Sequence, residues 1–166
     1  VTQNIVDKVS YYGKKYNIFM AADSQSSSQD GNISRFKNMN LITPTEREAR
    51  LACRDNEGGL ITIAEKLRRE SIAHNIIIKL GSLGLIVDIN NKKNGVHETD
   101  KIPVLNNFAK DVVGAGDSLL TLTALSLASG ANAWEATLLG SIASAVQVGK
   151  NGNIPLNYKD IAYHIK

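Results

Sequence analysis

Asp111-Val112-Val113-Gly114-Ala115-Gly116-Asp117 stands directly before the apolar run Leu119, Leu120, Leu122, Ala124, Leu125 and Leu127. The stretch joins a glycine-rich turn to the start of a helix and ends in a carboxylate. Glycine lets the backbone approach a ligand closely, and the first turn of a helix leaves N–H groups without intrahelical partners, so residues 114 to 117 can form a pocket for anionic oxygens. Asp117 then lies at the lip of that pocket. A carboxylate beside a phosphate cradle is repulsive unless it takes a proton from a hydroxyl about to attack phosphorus, which points to phosphoryl transfer to an alcohol. A plainer reading stands beside this one: Gly114 and Gly116 make an ordinary strand-to-helix turn, and Asp117 is a favourable acid in the first turn.

Downstream, Gly130 is a helix stop, and Asn132 with Glu135 opens a second helix in capping-box fashion. That helix, Trp134 to Val148, carries Ala143, Ser144 and Ala145, small enough for close packing on the first; Trp134 reads as core or edge filler. Gly149-Lys150-Asn151-Gly152-Asn153 follows, then Pro155 and a short helix from about Tyr158.

Upstream, residues 3 to 15 have amphipathic helical spacing, and Tyr16 to Ala22 read as a buried strand delivering Asp23 at its C-terminal end, where ligands collect in α/β folds. Ser24 to Asn32 is a polar loop. Asn40-Leu41-Ile42 is a short strand that runs into Thr43-Pro44-Thr45-Glu46-Arg47-Glu48-Ala49, where Thr45 and Glu48 form a capping box. Leu60, Ile63, Ala64 and Leu67 mark another helix. Asn75 to Leu80 is a central strand, and the turn Gly81-Ser82-Leu83-Gly84 leads into the strand Leu85 to Ile89. Asn94-Gly95 suggests a hairpin to Val96–Thr99, and Pro103 to Lys110 lead into the glycine-rich stretch.

Composition narrows the class. At 166 residues with 43% hydrophobic and 21% charged, the chain supports one domain with a real core. Nineteen basic against 16 acidic residues give +3 with no Lys/Arg block, so nucleic acid is not an expected partner. No apolar run approaches the roughly 20 residues of a membrane helix. A single cysteine, Cys53, excludes an intramolecular disulfide and a Cys cluster for zinc, and reads as a buried small residue. His74, His97 and His164 lack metal-ligand spacing and read as surface residues. The expected compartment is the cytoplasm. There is no Gly-x-x-x-x-Gly-Lys-Ser/Thr, and Gly114-Ala115-Gly116 lacks the third glycine of a dinucleotide fingerprint.

Asp-x-x-Gly-Ala-Gly-Asp before a small and apolar helix resembles the C-terminal motif of the ribokinase-like carbohydrate kinases, also called the phosphofructokinase-B family. Thr121 and Leu122 depart from the small residues usual there. The segment from Thr43 to Ala49 is similar to Thr-Pro-Asn-x-x-Glu-Ala of these sugar kinases, with Thr45 in place of Asn. Lys79-Leu80-Gly81-Ser82-Leu83-Gly84 is similar to their Thr-Leu-Gly-x-x-Gly, with Lys79 in place of Thr. Val148-Gly149-Lys150-Asn151-Gly152 looks like the end of heptose-phosphate kinases in the same family.

The resemblance implies an α/β fold, a three-layer ribokinase-like sandwich with a mostly parallel sheet. Residues 1–166 would be its C-terminal portion, carrying the nucleotide side and the base, with the N-terminal part missing. It implies Asp117 as base, with Gly114, Ala115 and Gly116 as the anion hole. ATP would lie by Lys79, Gly81, Gly84, Gly149 and Asn151. Glu48 would belong to the Mg2+ network, and Asp23 and Asp111 are substrate-side candidates. The substrate would be a sugar or sugar phosphate. A portion of such a sheet with uncovered apolar faces is expected to self-associate or pair with the missing part. A nucleotide-binding or regulatory module that has lost the chemistry, and a nucleoside kinase of the same fold, are the alternatives.

Overall fold

The structure, a computed structural model, describes residues 1–24, 32–91 and 96–165. Most of the Ser24 to Asn32 loop and the Asn94-Gly95 turn lie outside the described residues. The chain divides into two compact units, Val1–Leu80 with Leu85–Lys101, and Gly81–Gly84 with Ile102–Lys166.

The first unit is α/β. It contains helices α1 (Gln3–Lys15), α2 (Glu46–Cys53) and α3 (Leu60–Ser71), and strands β1 (Ala21–Ala22), β2 (Leu41–Ile42), β3 (Asn75–Lys79), β4 (Leu85–Asn91) and β5 (Val96–Ile102). The sheet order follows the chain, β1-β2-β3-β4-β5. β1 pairs with β2 and β2 with β3 in parallel, through Ala22 opposite Ile42 and Ile42 opposite Ile76. β4 then turns back antiparallel to β3, with Ile77 opposite Val87. Ile76, Ile77 and Ile78 are all buried, which explains why β3 reads as a continuous apolar run rather than an alternation. Ile63, Ala64 and Leu67 of α3 and Ala49 of α2 form one apolar cluster with Ile42, Ile76 and Ile78.

Two local readings change. The expected strand Tyr16–Ala22 shrinks to Ala21–Ala22, because its first residues close α1. Asn17 is left-handed at φ 51, its N–H donates to Lys14 O, and Ile18 N–H reaches Gly13 O at 2.8 Å, so the backbone groups a strand would use are spent on a Schellman stop. His74, expected at the surface, is half-buried, as is Cys53, whose Sγ lies 3.6 Å from Ile63 O; burial pushes this thiol up to about 11. His97 and His164 are exposed as expected.

The second unit contains α4 (Ala115–Ala128), α5 (Ala133–Val148) and α6 (Tyr158–Ala162). Gly130, at φ 96, ends α4, with its own N–H on Leu127 O and the Ala131 N–H on Ser126 O. The Asn132–Glu135 capping box then starts α5. The two helices pack tightly at Gly140, where a Cβ would collide with Thr123 Oγ1 and stand 2.8 Å from Leu119 O. Ala143 is buried on the same helix, as its size led one to expect. Among the described residues, no helix is long and apolar enough to cross a membrane.

Candidate active site

In the first unit, polar side chains gather at the C-terminal ends of the parallel strands. Asp23 follows β1, Thr43 follows β2 and Lys79 ends β3. Lys79 Nζ contacts Asp23 Oδ2 at 2.6 Å, with both side chains mostly buried, so a lysine on the central strand reaches a carboxylate two strands away. The Lys79 N–H donates to Pro44 O at 2.8 Å, which ties this strand end to the Thr43–Glu48 segment. Glu48 is buried, and its Oε2 accepts from Thr45 N–H at 2.7 Å while Thr45 Oγ1 accepts from Glu48 N–H, completing the capping box. Thr43 Oγ1 is buried with no hydrogen-bond partner among the described residues.

Burial raises the Asp23 carboxyl above its ordinary value, opposed by Lys79 and reinforced by the negative charge of Glu48. Asp55 shows the opposite: hydrogen bonds from Lys66 and from the N–H groups of Gly58 and Glu57 hold it down at about 2. In an NMR carboxyl titration, Asp23 is expected to titrate above 3.8 and Asp55 near 2. The linked signs differ. Between 3.8 and its folded value Asp23 binds more proton folded than unfolded, so its contribution falls as pH rises, whereas that of Asp55 is present above 3.8 and is lost as pH falls through about 2. An Asp23 midpoint at or below 3.8 would show that the Lys79 contact outweighs burial.

The fit to Mg2+ follows from these partners. Asp23 is engaged by Lys79, Glu48 has committed one oxygen to the cap, and no three His, Cys, Asp or Glu side chains converge among the described residues. A direct ligand set for a divalent ion is therefore not formed among the described residues.

In the second unit, Gly114 is the N-cap of α4 in the left-handed region at φ 78, and no side chain caps the helix. Only glycine fits there: the φ disfavours any Cβ, and a Cβ would strike Asn153 Oδ1. Ala115 N–H turns back to Val112 O at 3.3 Å, whereas the N–H groups of Gly114, Gly116 and Asp117 meet no acceptor among the described residues. Asp117 is exposed at the third helical position. The chain thus presents uncommitted donors at a helix start next to an exposed carboxylate. Such donors suit a polyanion, and the carboxylate suits a proton acceptor.

Asp111 is held inside this loop. Its Oδ1 accepts from Val113 N–H and its Oδ2 from Gly152 N–H, each at 3.0 Å. Gln147, which sequence reasoning passed over, is buried and donates from Nε2 to Val113 O at 3.4 Å and to Gly152 O at 3.1 Å. One signal for it was available: a lone amide inside an otherwise small and apolar helix. Lys150 pairs with Asp160 of α6 at 3.0 Å, and Asn106 Nδ2 holds Ala145 O at 2.9 Å. Gly149 approaches Asn106, while Asn151 is exposed.

Gly81 and Gly84 both have positive φ in the turn after β3. At Gly84 a Cβ would run into Ile102 O and Pro103, so that glycine is required by the backbone itself; Gly81 has open space around it. Asp23, Glu48 and Lys79 belong to the first unit, and Gly81, Gly84, Asp111, Gly114–Asp117, Gly149 and Asn151 to the second.

The profile of the pfkB family carbohydrate kinases matches residues 8–159. The bifunctional protein HldE of Geotalea uraniireducens (strain Rf4) is 26% identical over 168 residues, covering 99% of this chain and 32% of that protein. The bifunctional protein HldE of Campylobacter concisus (strain 13826) is 30% identical over 131 residues, 77% of this chain and 26% of its own length. Among solved structures, phosphofructokinase-2 from Escherichia coli in complex with potassium superposes with a TM-score of 0.81 at 18% identity, over 98% of this chain and 52% of that one. Arabidopsis thaliana ribokinase complexed with ribose and ATP gives 0.80 at 18% identity, over 99% and 53%. The chain therefore spans about a third or less of the matched HldE proteins and about half of the matched kinases, and the two structures show a shared fold.

Proposed function

The chain belongs to the pfkB family of carbohydrate kinases, and from that premise we propose that the whole protein moves the terminal phosphoryl group of ATP to a hydroxyl of a sugar or sugar phosphate. The observation that carries the proposal is the start of α4, where a left-handed Gly114 and an uncapped first turn leave donors for phosphoryl oxygens beside the exposed carboxylate of Asp117. Gly114 and Gly116, with Ala115 between them, hold the charge that develops on the transferring group. Asp117 accepts the hydroxyl proton as the oxygen attacks phosphorus, and ADP leaves. Residues 1–166 act as the nucleotide-binding and base-carrying portion of one ribokinase-like domain.

ATP as the phosphoryl donor is supported by the family and is in keeping with the Arabidopsis ribokinase of the same fold, which is complexed with ribose and ATP. Gly81, Gly84, Gly149 and Asn151 are its proposed backbone neighbours. Lys79 enters this reading as a charge already balanced by Asp23. Mg2+ would come with the nucleotide, since no direct ligand set for it forms among the described residues, and Glu48 shapes the start of α2 within electrostatic reach of Asp23. Asp111 is better suited to holding the loop than to touching substrate, because both its oxygens accept backbone N–H groups. The cytoplasm, where ATP is supplied, is the compartment this reading assigns.

The substrate is tested by offering the full-length protein a panel of sugars and sugar phosphates with ATP. A sugar phosphate is expected to be preferred, in keeping with the resemblance of Val148–Gly152 to the end of heptose-phosphate kinases. Preference for an unphosphorylated pentose or a nucleoside would overturn that choice.

The proposal extends to partners. Ile5, Val9 and Tyr12 of α1 and its C-cap Tyr16 recur at helical spacing and are all at least half exposed, with Tyr12 and Tyr16 stacked at 6.1 Å between ring centres. An apolar stripe of this kind marks a contact surface. Residues 1–166 alone are expected to self-associate in sedimentation, and Val9→Glu with Tyr12→Glu to shift them toward monomer. A monodisperse monomer that phosphorylates a sugar unaided would show that the catalytic unit has other boundaries.

A further inference from the structure

Val113 immediately precedes Gly114, and Gly152 immediately precedes Asn153, whose side chain closes over Gly114. These two backbone units are treated identically. Each gives its N–H to one oxygen of Asp111 at 3.0 Å, and each receives the Gln147 amide on its carbonyl, at 3.4 Å for Val113 and 3.1 Å for Gly152. Two carbonyls converging on one side-chain amide settle which end of it faces them, since only the NH2 can donate. Gln147 is 1% exposed, so its donors have no water to fall back on. Two of these bonds join the distant segments, Asp111 to Gly152 across 41 residues and Gln147 to Val113 across 34, while the other two are local.

We propose that Gln147 is a positioning residue which, with Asp111, clamps the 149–153 loop to the 112–116 loop, so that a ligand seated on the helix start orders the terminal loop as well. The coupling rests on the reading that residues 114–117 receive phosphoryl oxygens; the clamp itself does not. Apolar packing at this position would have served to bury the helix face. A donor pair was placed there instead, and it reaches both loops at once.

Amide hydrogen exchange on residues 1–166 tests it, with inorganic phosphate and ADP as separate probes. Gln147→Met keeps the length of the side chain and removes both donors. The Val113 and Gly152 amides, which bond Asp111 and not Gln147, are expected to exchange about tenfold faster in the variant, from the loss of two hydrogen bonds worth about 1 kcal/mol each in part, while amides in the middle of α5 keep their rates. Phosphate should shift the resonances of Gly152 and Asn153 together with those of Gly114–Asp117 in the natural chain, and only the latter in the variant. Should Gln147→Met not fold, Gln147→Glu, which turns lone pairs toward the two carbonyls, reads the same amides. Unchanged exchange at Val113 and Gly152 would overturn the clamp whatever the probes do. A natural chain that binds neither phosphate nor ADP would instead count against the anion pocket, and the exchange rates would still decide the clamp.

Discussion

Replacing Asp117 by Asn in the full-length enzyme is expected to lower turnover by about 10²–10⁴-fold, the usual worth of general-base help, while leaving the fold intact. The substitution separates two explanations of one residue. Asp117 lies in the first turn of α4, where a carboxylate favourably meets the helix dipole. If that were its whole role, Asn would cost about 0.3–1 kcal/mol of stability and no catalysis. The structure shows nothing else for the carboxylate to do: it is exposed, and no ion pair or side-chain hydrogen bond to it is found among the described residues. Steady-state kinetics and a melting curve on the same variant decide between them. Near-normal turnover would remove Asp117 as the base.

The second large effect concerns folding. Arg68 of α3 bonds Asp88 of β4 through Nε at 3.1 Å and closes an ion pair with the same carboxylate at 2.9 Å. It also donates to the backbone oxygens of Asp88, Ala73 and His74 at 2.7 to 2.8 Å. The planar guanidinium thus fastens a helix both to β4 and to the segment that leads into β3, a geometry lysine cannot copy. Arg68→Met is expected to destabilise the first unit by about 3–5 kcal/mol, because it leaves the 2%-exposed Asp88 charge without its counter-ion. Urea denaturation measures this. The double variant Arg68→Met/Asp88→Leu should recover part of the loss, since it removes the stranded charge but still leaves carbonyls without donors. A loss under about 1 kcal/mol for Arg68→Met would place the pair among those that contribute little.

Much of the architecture was legible from short-range rules. The capping boxes at Thr45–Glu48 and Asn132–Glu135, the stop at Gly130 and the helix from Leu60 all depend on residues within four positions of one another, and all stand in the structure. The strand expected from Tyr16 failed for a reason equally local: Asn17 accepts a left-handed backbone, and the stop it forms outweighed the apolar run that followed. The α4 motif also carried the family, which the match over residues 8–159 bears out.

What the amino-acid sequence determined by itself is therefore most of the helices with their caps and stops, because periodicity, caps and obligatory glycines act between neighbours in the chain, while the mostly parallel α/β class came with the family motif. Only the tertiary structure decided what the polar side chains are for. It paired Lys79 with Asp23 across the end of β2, spent Asp111 and Gln147 on joining two loops, and fixed Arg68 on Asp88. Lys79 and Asp23 lie 56 residues apart, Asp111 and Gly152 41, Gln147 and Val113 34, and Arg68 and Asp88 20. A buried polar group takes whichever donor or acceptor the strand order and helix packing bring to it, because leaving it unpaired costs more than any local preference is worth.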